Sequence, residues 1–146
     1  MIEIYTDASI SVKHSIATAT CFIITPVNFI GFRTFTYNNV DTSTLGEIKG
    51  AIDGIKYAAS IADLNSDEVV LFSDFPALAS IANCNLNKTT RNQVLTYKDE
   101  VHELQEVVKK YNVKIQLIKG HQKSNNPNKV VDFISNSTLR YQIKGV

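Results

Sequence analysis

Four carboxylates stand out by where they fall in the chain: Asp7, Glu47, Asp74 and Asp132. Asp7 follows a run, Ile2-Glu3-Ile4-Tyr5-Thr6, that alternates apolar and polar residues as a half-buried strand does. Asp74 follows a second β-rich run, Glu-Val-Val-Leu-Phe-Ser, over residues 68–73. Glu47 falls in the first turn of a long helical pattern, and Asp132 in the first turns of another. Strand ends and helix starts are where α/β sheets place their ligands. Taken singly, each residue has an ordinary use, because aspartates open turns and acidic groups favour helix N-termini. Gathered together, such groups repel one another unless cations bind. Hard oxygen donors in that number suit Mg²⁺ or Mn²⁺. Two such ions, about 3.5–4 Å apart, can clamp the attacking and leaving oxygens of a phosphodiester.

The spacing of apolar residues predicts the elements that must hold these groups. Residues 2–6, 17–25 and 29–37 read as strands, the last two joined by a turn at Pro26-Val27-Asn28. Residues 43–62 read as a helix, with Leu45, Ile48, Ile52, Ile55, Ala59 and Ala62 at helical spacing. Thr42, Ser43 or Thr44 can cap it, and Glu47 fits the capping-box position after Thr44. Gly46, Gly50 and Gly54 form a stripe along this helix. Each costs about 1 kcal/mol relative to alanine, so the stripe predicts close packing on a sheet. Residues 68–73 form a buried strand, and Pro76 opens a short helix over residues 76–82. Residues 83–92 read as a polar loop. Residues 92–111 read as one helix, with Leu95, Lys98, Val101, Leu104, Val108 and Tyr111 near one stripe. A strand over residues 113–118, a polar loop over 119–126 and a helix over 127–141 complete the chain, with Asn126 as cap and Pro127 first in the helix. Three antiparallel strands followed by β/α alternation define the α/β class, a five-stranded mixed sheet flanked by helices.

The length, 146 residues, suits a single domain over residues 1–146, and 44% hydrophobic with 20% charged residues is ordinary for a globular protein. No apolar run is long enough to span a membrane. The start, Met1-Ile2-Glu3-Ile4, lacks the basic and apolar regions of a signal peptide. Cys21 and Cys84 make no disulfide framework and no cysteine-based zinc site. A cytoplasmic, reducing location is the expectation. The net charge of +1 hides an asymmetry: −4 over residues 1–100 and +5 over residues 101–146. A basic C-terminal third suits a polyanion partner, and equally an ordinary solvated surface.

Four segments, in order, resemble the type 1 ribonuclease H family in its small single-domain form. Ile4-Tyr5-Thr6-Asp7-Ala8-Ser9 is similar to its "TDGS" strand, and Thr42-Ser43-Thr44-Leu45-Gly46-Glu47 with Ala51 to its "TNNxxE…A" helix start. Val70-Leu71-Phe72-Ser73-Asp74 is similar to its strand-4 aspartate segment. Lys119-Gly120-His121 with Asn128-Lys129-Val130-Val131-Asp132 resembles its "V-x-GH…N-x-x-x-D" segment. The resemblance implies a ribonuclease H-like fold and hydrolysis of the RNA strand of an RNA–DNA hybrid, leaving 5′ phosphates. It implies that Asp7, Glu47, Asp74 and Asp132 hold two Mg²⁺ ions, or Mn²⁺, with Asp7 shared. One ion would activate water and the other stabilise the leaving 3′ oxygen. His121, which taken alone is also an ordinary loop histidine, would assist proton transfer or product release. Ser9, Ser43 and Thr44 would meet the nucleic acid, the last two through RNA 2′-hydroxyls, and Lys119, Lys123 and Lys129 would neutralise phosphates. The expected partner is the hybrid, with no membrane, and the expected form is a monomer.

Some positions depart from the family pattern. Ala8 stands where glycine is frequent, Ser43 and Thr44 stand for asparagines, and Phe75-Pro76 replace polar residues. The extra basic helix of some members is not expected, with Lys88, Arg91 and Lys98 as a reduced substitute. These departures keep two alternatives open: a weakly active or inactive nucleic-acid-binding module, and a DNA nuclease on the same fold.

Overall fold

The computed structural model describes residues 1–85, 88–118 and 127–144. Among the described residues, five strands form one sheet: β1 (Ile2–Ser11), β2 (Ile16–Ile24), β3 (Phe29–Asn38), β4 (Val69–Ser73) and β5 (Val113–Leu117). Their spatial order is β3-β2-β1-β4-β5. The β1–β2 and β2–β3 pairs are antiparallel, and β4 and β5 add to β1 in parallel. The turn at residues 25–28 closes the second hairpin through Thr25 N–H to the Asn28 carbonyl, at 2.8 Å. Among the same residues, five helices accompany the sheet: α1 (Ser43–Ile61), α2 (Leu78–Ala82), α3 (Lys88–Thr96), α4 (Lys98–Lys110) and α5 (Pro127–Lys144).

Strand alternation decides which helix covers which face. Ile4, Thr6 and Ala8 of β1, with Ala17, Ala19 and Cys21 of β2, face α1. The side chains of Ser9, Thr18 and Thr20 point the other way, onto α5. The apolar core lies on the α1 side, where Ile4, Ile48, Ile55, Leu71, Leu78 and Leu104 are fully buried among α1, α2, α4 and the sheet. Each such side chain contributes about 1.5–3 kcal/mol. The α5 contact is more polar. The Thr18 hydroxyl donates to the Ser135 carbonyl at 2.7 Å. Ser135, itself fully buried, donates to the Asp7 carbonyl at 3.0 Å and lies 2.9 Å from Thr20 Oγ1.

The glycine stripe does what its cost implies. A Cβ on Gly50 would lie 2.8 Å from Ala19 Cβ, and one on Gly54 would lie 2.8 Å from Thr6 Cγ2. Neither neighbour is a flexible side chain that can swing aside, so α1 approaches the sheet only because these positions are bare. Gly50→Ala is expected to lower the melting temperature. Overpacking costs about 1–3 kcal/mol, more than the roughly 1 kcal/mol gained in helix propensity. A shift upward in a thermal melt would contradict this account.

The chain departs from the spacing-based expectation in three places. First, β1 continues to Ser11 because β2 pairs with it along its whole length, to Ile16. Second, residues 88–96, read partly as loop, form α3. Its polar sequence has no apolar period, and Val94 anchors it on the core. Third, the helix read over 92–111 is broken at Tyr97. The break turns α3 so that Val94 packs inward while Leu95, expected on the buried stripe, is 64% exposed. Val101, Leu104, Val107 and Val108 bury the face of α4.

Candidate active site

The site forms where the sheet changes neighbours. β1 pairs with β4 only from Ile2 to Tyr5, and β4 stops at Ser73. Extending the register from Tyr5 opposite Phe72 by two residues sets Asp7 opposite Asp74. Beyond that point β1 has β2 on one side and an opening on the other. This is the switch point at strand C-termini where α/β sheets bind ligands. Asp7 therefore lies in the middle of its own strand, not at its end, but at the end of its neighbour. Through the opening, Glu47 arrives from α1 on one face and Asp132 from α5 on the other.

Glu47 does not serve as a capping-box residue. The cap of α1 is Thr42, whose hydroxyl accepts from Leu45 N–H at 3.3 Å, and Glu47 lies just past the first turn. Its Oε1 instead accepts from Ala8 N–H at 3.2 Å. Ala8 turns its own Cβ toward α1, where Gly46 leaves room. Thus the backbone beside Asp7 is engaged in holding Glu47.

One oxygen each of Asp7, Glu47 and Asp74 lies within 4.8 Å of the others. Asp7 is 3% exposed and Glu47 8%. Asp132 hydrogen-bonds the Asp7 carboxyl, which it faces from α5. The four groups supply acceptors to one another and few donors, and Asp7 Oδ2 is buried without a hydrogen-bond partner among the described residues. Burial is the largest influence holding the Asp7 carboxyl far above the usual carboxylate range, followed by the hydrogen bond to Asp132 and repulsion from Glu47 and Asp74. Glu47 is also raised, first by burial and then by Asp74, against the lowering effect of the Ala8 N–H. A buried carboxyl oxygen without a partner amid hard oxygen donors is an arrangement that a divalent cation, displacing the proton, can satisfy.

The other sequence candidates divide. Ser43, first in α1, is exposed. Thr44 Oγ1 accepts from Gln93 Nε2 of α3 at 3.3 Å. Ser9 is nearly buried, and its hydroxyl donates to Asn136 Oδ1 at 2.8 Å. Lys129 lies exposed in the first turn of α5. Lys119, His121 and Lys123 lie outside the described residues. Phe75, anticipated at the groove, packs partly into the core, and Pro76 is exposed. Lys114 sits at the far end of β5, near Glu68 at 3.8 Å, away from the site. His102 pairs with Glu106 on the surface of α4, and His14 with Ser11 in the β1–β2 turn.

Spacing alone could not reveal Gln93, Tyr97, Ser135 and Asn136. Tyr97 hydrogen-bonds Thr42, so the α3–α4 junction is fastened to the cap of α1.

A mixed sheet in the order β3-β2-β1-β4-β5, with acidic side chains gathered where β4 stops beside β1, defines the ribonuclease H-like class of fold. The RNase H family model matches residues 1–140, and the chain belongs to the RNase H family. The fold is similar to RNase H1 of the halophilic archaeon Halobacterium salinarum NRC-1, with TM-score 0.74 and 13% identity over 95% of this chain and 97% of that one. It is similar to the N-terminal RNase H domain of rv2228c from Mycobacterium tuberculosis, with TM-score 0.77 and 11% identity over 99% and 96%. It is also similar to LC11-RNase H1, solved in complex with an RNA/DNA hybrid, with TM-score 0.70 and 14% identity over 95% and 99%. No curated protein matches the sequence.

Proposed function

We propose that the protein is a divalent-metal-dependent endoribonuclease that hydrolyses the RNA strand of RNA–DNA hybrids. The observation that carries this reading is the meeting of Asp7, Glu47 and Asp74 around a buried oxygen that lacks a partner. Membership of the RNase H family and the hybrid bound by the similar LC11-RNase H1 support the substrate class.

Asp7, Glu47, Asp74 and Asp132 would hold Mg²⁺ or Mn²⁺. When bound, the ions neutralise these carboxylates, activate water and stabilise the departing 3′ oxygen. The chain's own groups supply orientation. Ala8 N–H fixes the Glu47 carboxylate, and the Ser135 hydroxyl fixes the Asp7 peptide. Ser43, exposed at the start of α1, would read a 2′-hydroxyl in the minor groove. Thr44 would do so with its hydroxyl oriented by Gln93. Lys119, Lys123 and Lys129 would meet phosphates, which makes binding weaken as salt rises. His121 would carry a proton to the leaving oxygen or speed product release.

Cleavage of an end-labelled hybrid at low salt, with Mg²⁺ or Mn²⁺, tests the reading. The expected result is cutting of the RNA strand only, to products with 5′ phosphates, with double-stranded DNA and RNA left intact. A folded protein that cuts nothing with either metal would refute it. His121→Ala is expected to lower kcat about 10²-fold, the low end for a general acid–base group, with metal affinity unchanged. A full-rate His121→Ala enzyme would remove His121 from the mechanism.

A further inference from the structure

We propose that Ser9 and Asn136 are positioning residues for Asp132, and that they act as one relay from β1 to α5. The inference rests on the reading of Asp132 as a metal ligand. Asn136 lies one helical turn beyond Asp132, where side chains meet along a helix. Its amide nitrogen donates to Asp132 Oδ1 at 3.2 Å and to the Asp132 carbonyl at 3.0 Å. Its amide oxygen accepts from Ser9 Oγ at 2.8 Å, across 127 positions of sequence. Both ends of the amide are thereby used, and its orientation is set.

The relay answers a need that Glu47 and Asp7 do not share. Those two are buried and held by the fold, whereas Asp132 is exposed on its helix. An exposed carboxylate samples several rotamers, and a ligand that samples several rotamers binds metal weakly. Asn136 occupies one Asp132 oxygen, Oδ1, and so fixes the rotamer in which the carboxylate would be offered to an ion. Ser9 is two residues from Asp7 on the same face of β1. The strand that presents the buried carboxylate thus also fixes the exposed one. Ser9 contributes to the site through Asn136, with its hydroxyl taken by that amide.

Calorimetric titration of the metal-free protein with Mn²⁺ tests the relay without relying on turnover. Asn136→Ala and Ser9→Ala are each expected to weaken Mn²⁺ binding roughly 10-fold, the lower end for groups that orient metal ligands. The double variant is expected to bind no more weakly than Asn136→Ala alone, because both changes break one chain of contacts. The Mn²⁺ concentration for half-maximal cleavage should rise in step, with kcat at saturating metal largely retained. Wild-type affinity in Asn136→Ala would overturn the proposal, and so would strictly additive losses in the double variant. If Asn136→Ala fails to fold, Ser9→Ala, which removes a single oxygen, decides the matter by the same titration. A wild-type protein that binds Mn²⁺ but leaves hybrids uncut would refute the hydrolase reading while leaving the relay standing.

Discussion

Asp7→Asn is expected to abolish cleavage while making the metal-free protein more stable. The two effects have opposite sign because one carboxylate serves opposite ends. For activity, Asp7 is a buried group close to Glu47 and Asp74, and its Oδ2, without a hydrogen-bond partner among the described residues, would take a cation. Losing several kcal/mol of charge stabilisation at the reacting phosphate corresponds to a rate loss of about 10³-fold or more. For stability, burial and three neighbouring carboxylates oppose charge at Asp7. Asparagine keeps the shape, removes the charge and brings an amide donor toward Asp132. The expected gain is about 2 kcal/mol, or roughly 4–8 °C for a chain of this length. The measurements are hybrid cleavage and thermal melting in a chelator. Retained activity would remove Asp7 from the site, and a lower melting temperature in chelator would contradict the account of repulsion.

The metal-free protein is expected to lose stability as pH rises, and divalent ions are expected to abolish that loss. Asp7 and Glu47 are both raised in the folded chain, whereas in the unfolded chain they titrate near 4. Between those limits the folded state holds protons that the unfolded state has released. Stability therefore falls with rising pH, by up to about 1.4 kcal/mol per pH unit for each carboxyl still protonated in the folded state. The contribution is fully present below the unfolded values and is lost through neutrality and above. Bound Mg²⁺ or Mn²⁺ replaces the protons, so the melting temperature should become nearly level with pH and rise with metal concentration. A metal-free protein whose melting temperature holds level from pH 5 to 9 would show that the carboxylates do not repel.

The carboxylates stood out in the sequence because each follows, or falls early in, a segment with a strong local signal. The run before Asp7 alternates, the run before Asp74 is almost continuously apolar, and Glu47 and Asp132 sit early in periodic helices. The glycine stripe likewise announced its packing partner, a sheet close enough to exclude a methyl group. What the chain concealed depends on contacts between distant residues. α3 is built from Thr, Arg, Asn and Gln with little helix preference, and it owes its place to Val94 and to Gln93 on Thr44. The extension of β1 through Ser9 and Ser11 alternates only weakly, with small Ala8 and a single Ile10 between polar residues, and pairing with β2 sustains it. Nothing local marks Asn136, whose role exists only once Ser9 is beside it. The same holds for Ser135, an unremarkable helical serine until it meets the Asp7 carbonyl.

The Ser135 contact has a consequence for the order of events in biosynthesis. Asp7 leaves the ribosome well before Ser135, the residue 128 positions later that fastens its peptide. Contacts so distant close late, after the hairpins and the α1 packing that need only nearby chain. Three carboxylates can therefore be in place on a nascent chain that still lacks the fourth and the helix bearing it. Docking of α5 would follow those steps, and the cleavage proposed above would wait for it. Undocking of α5 would part Asp132 from the other carboxylates again while the sheet stayed folded.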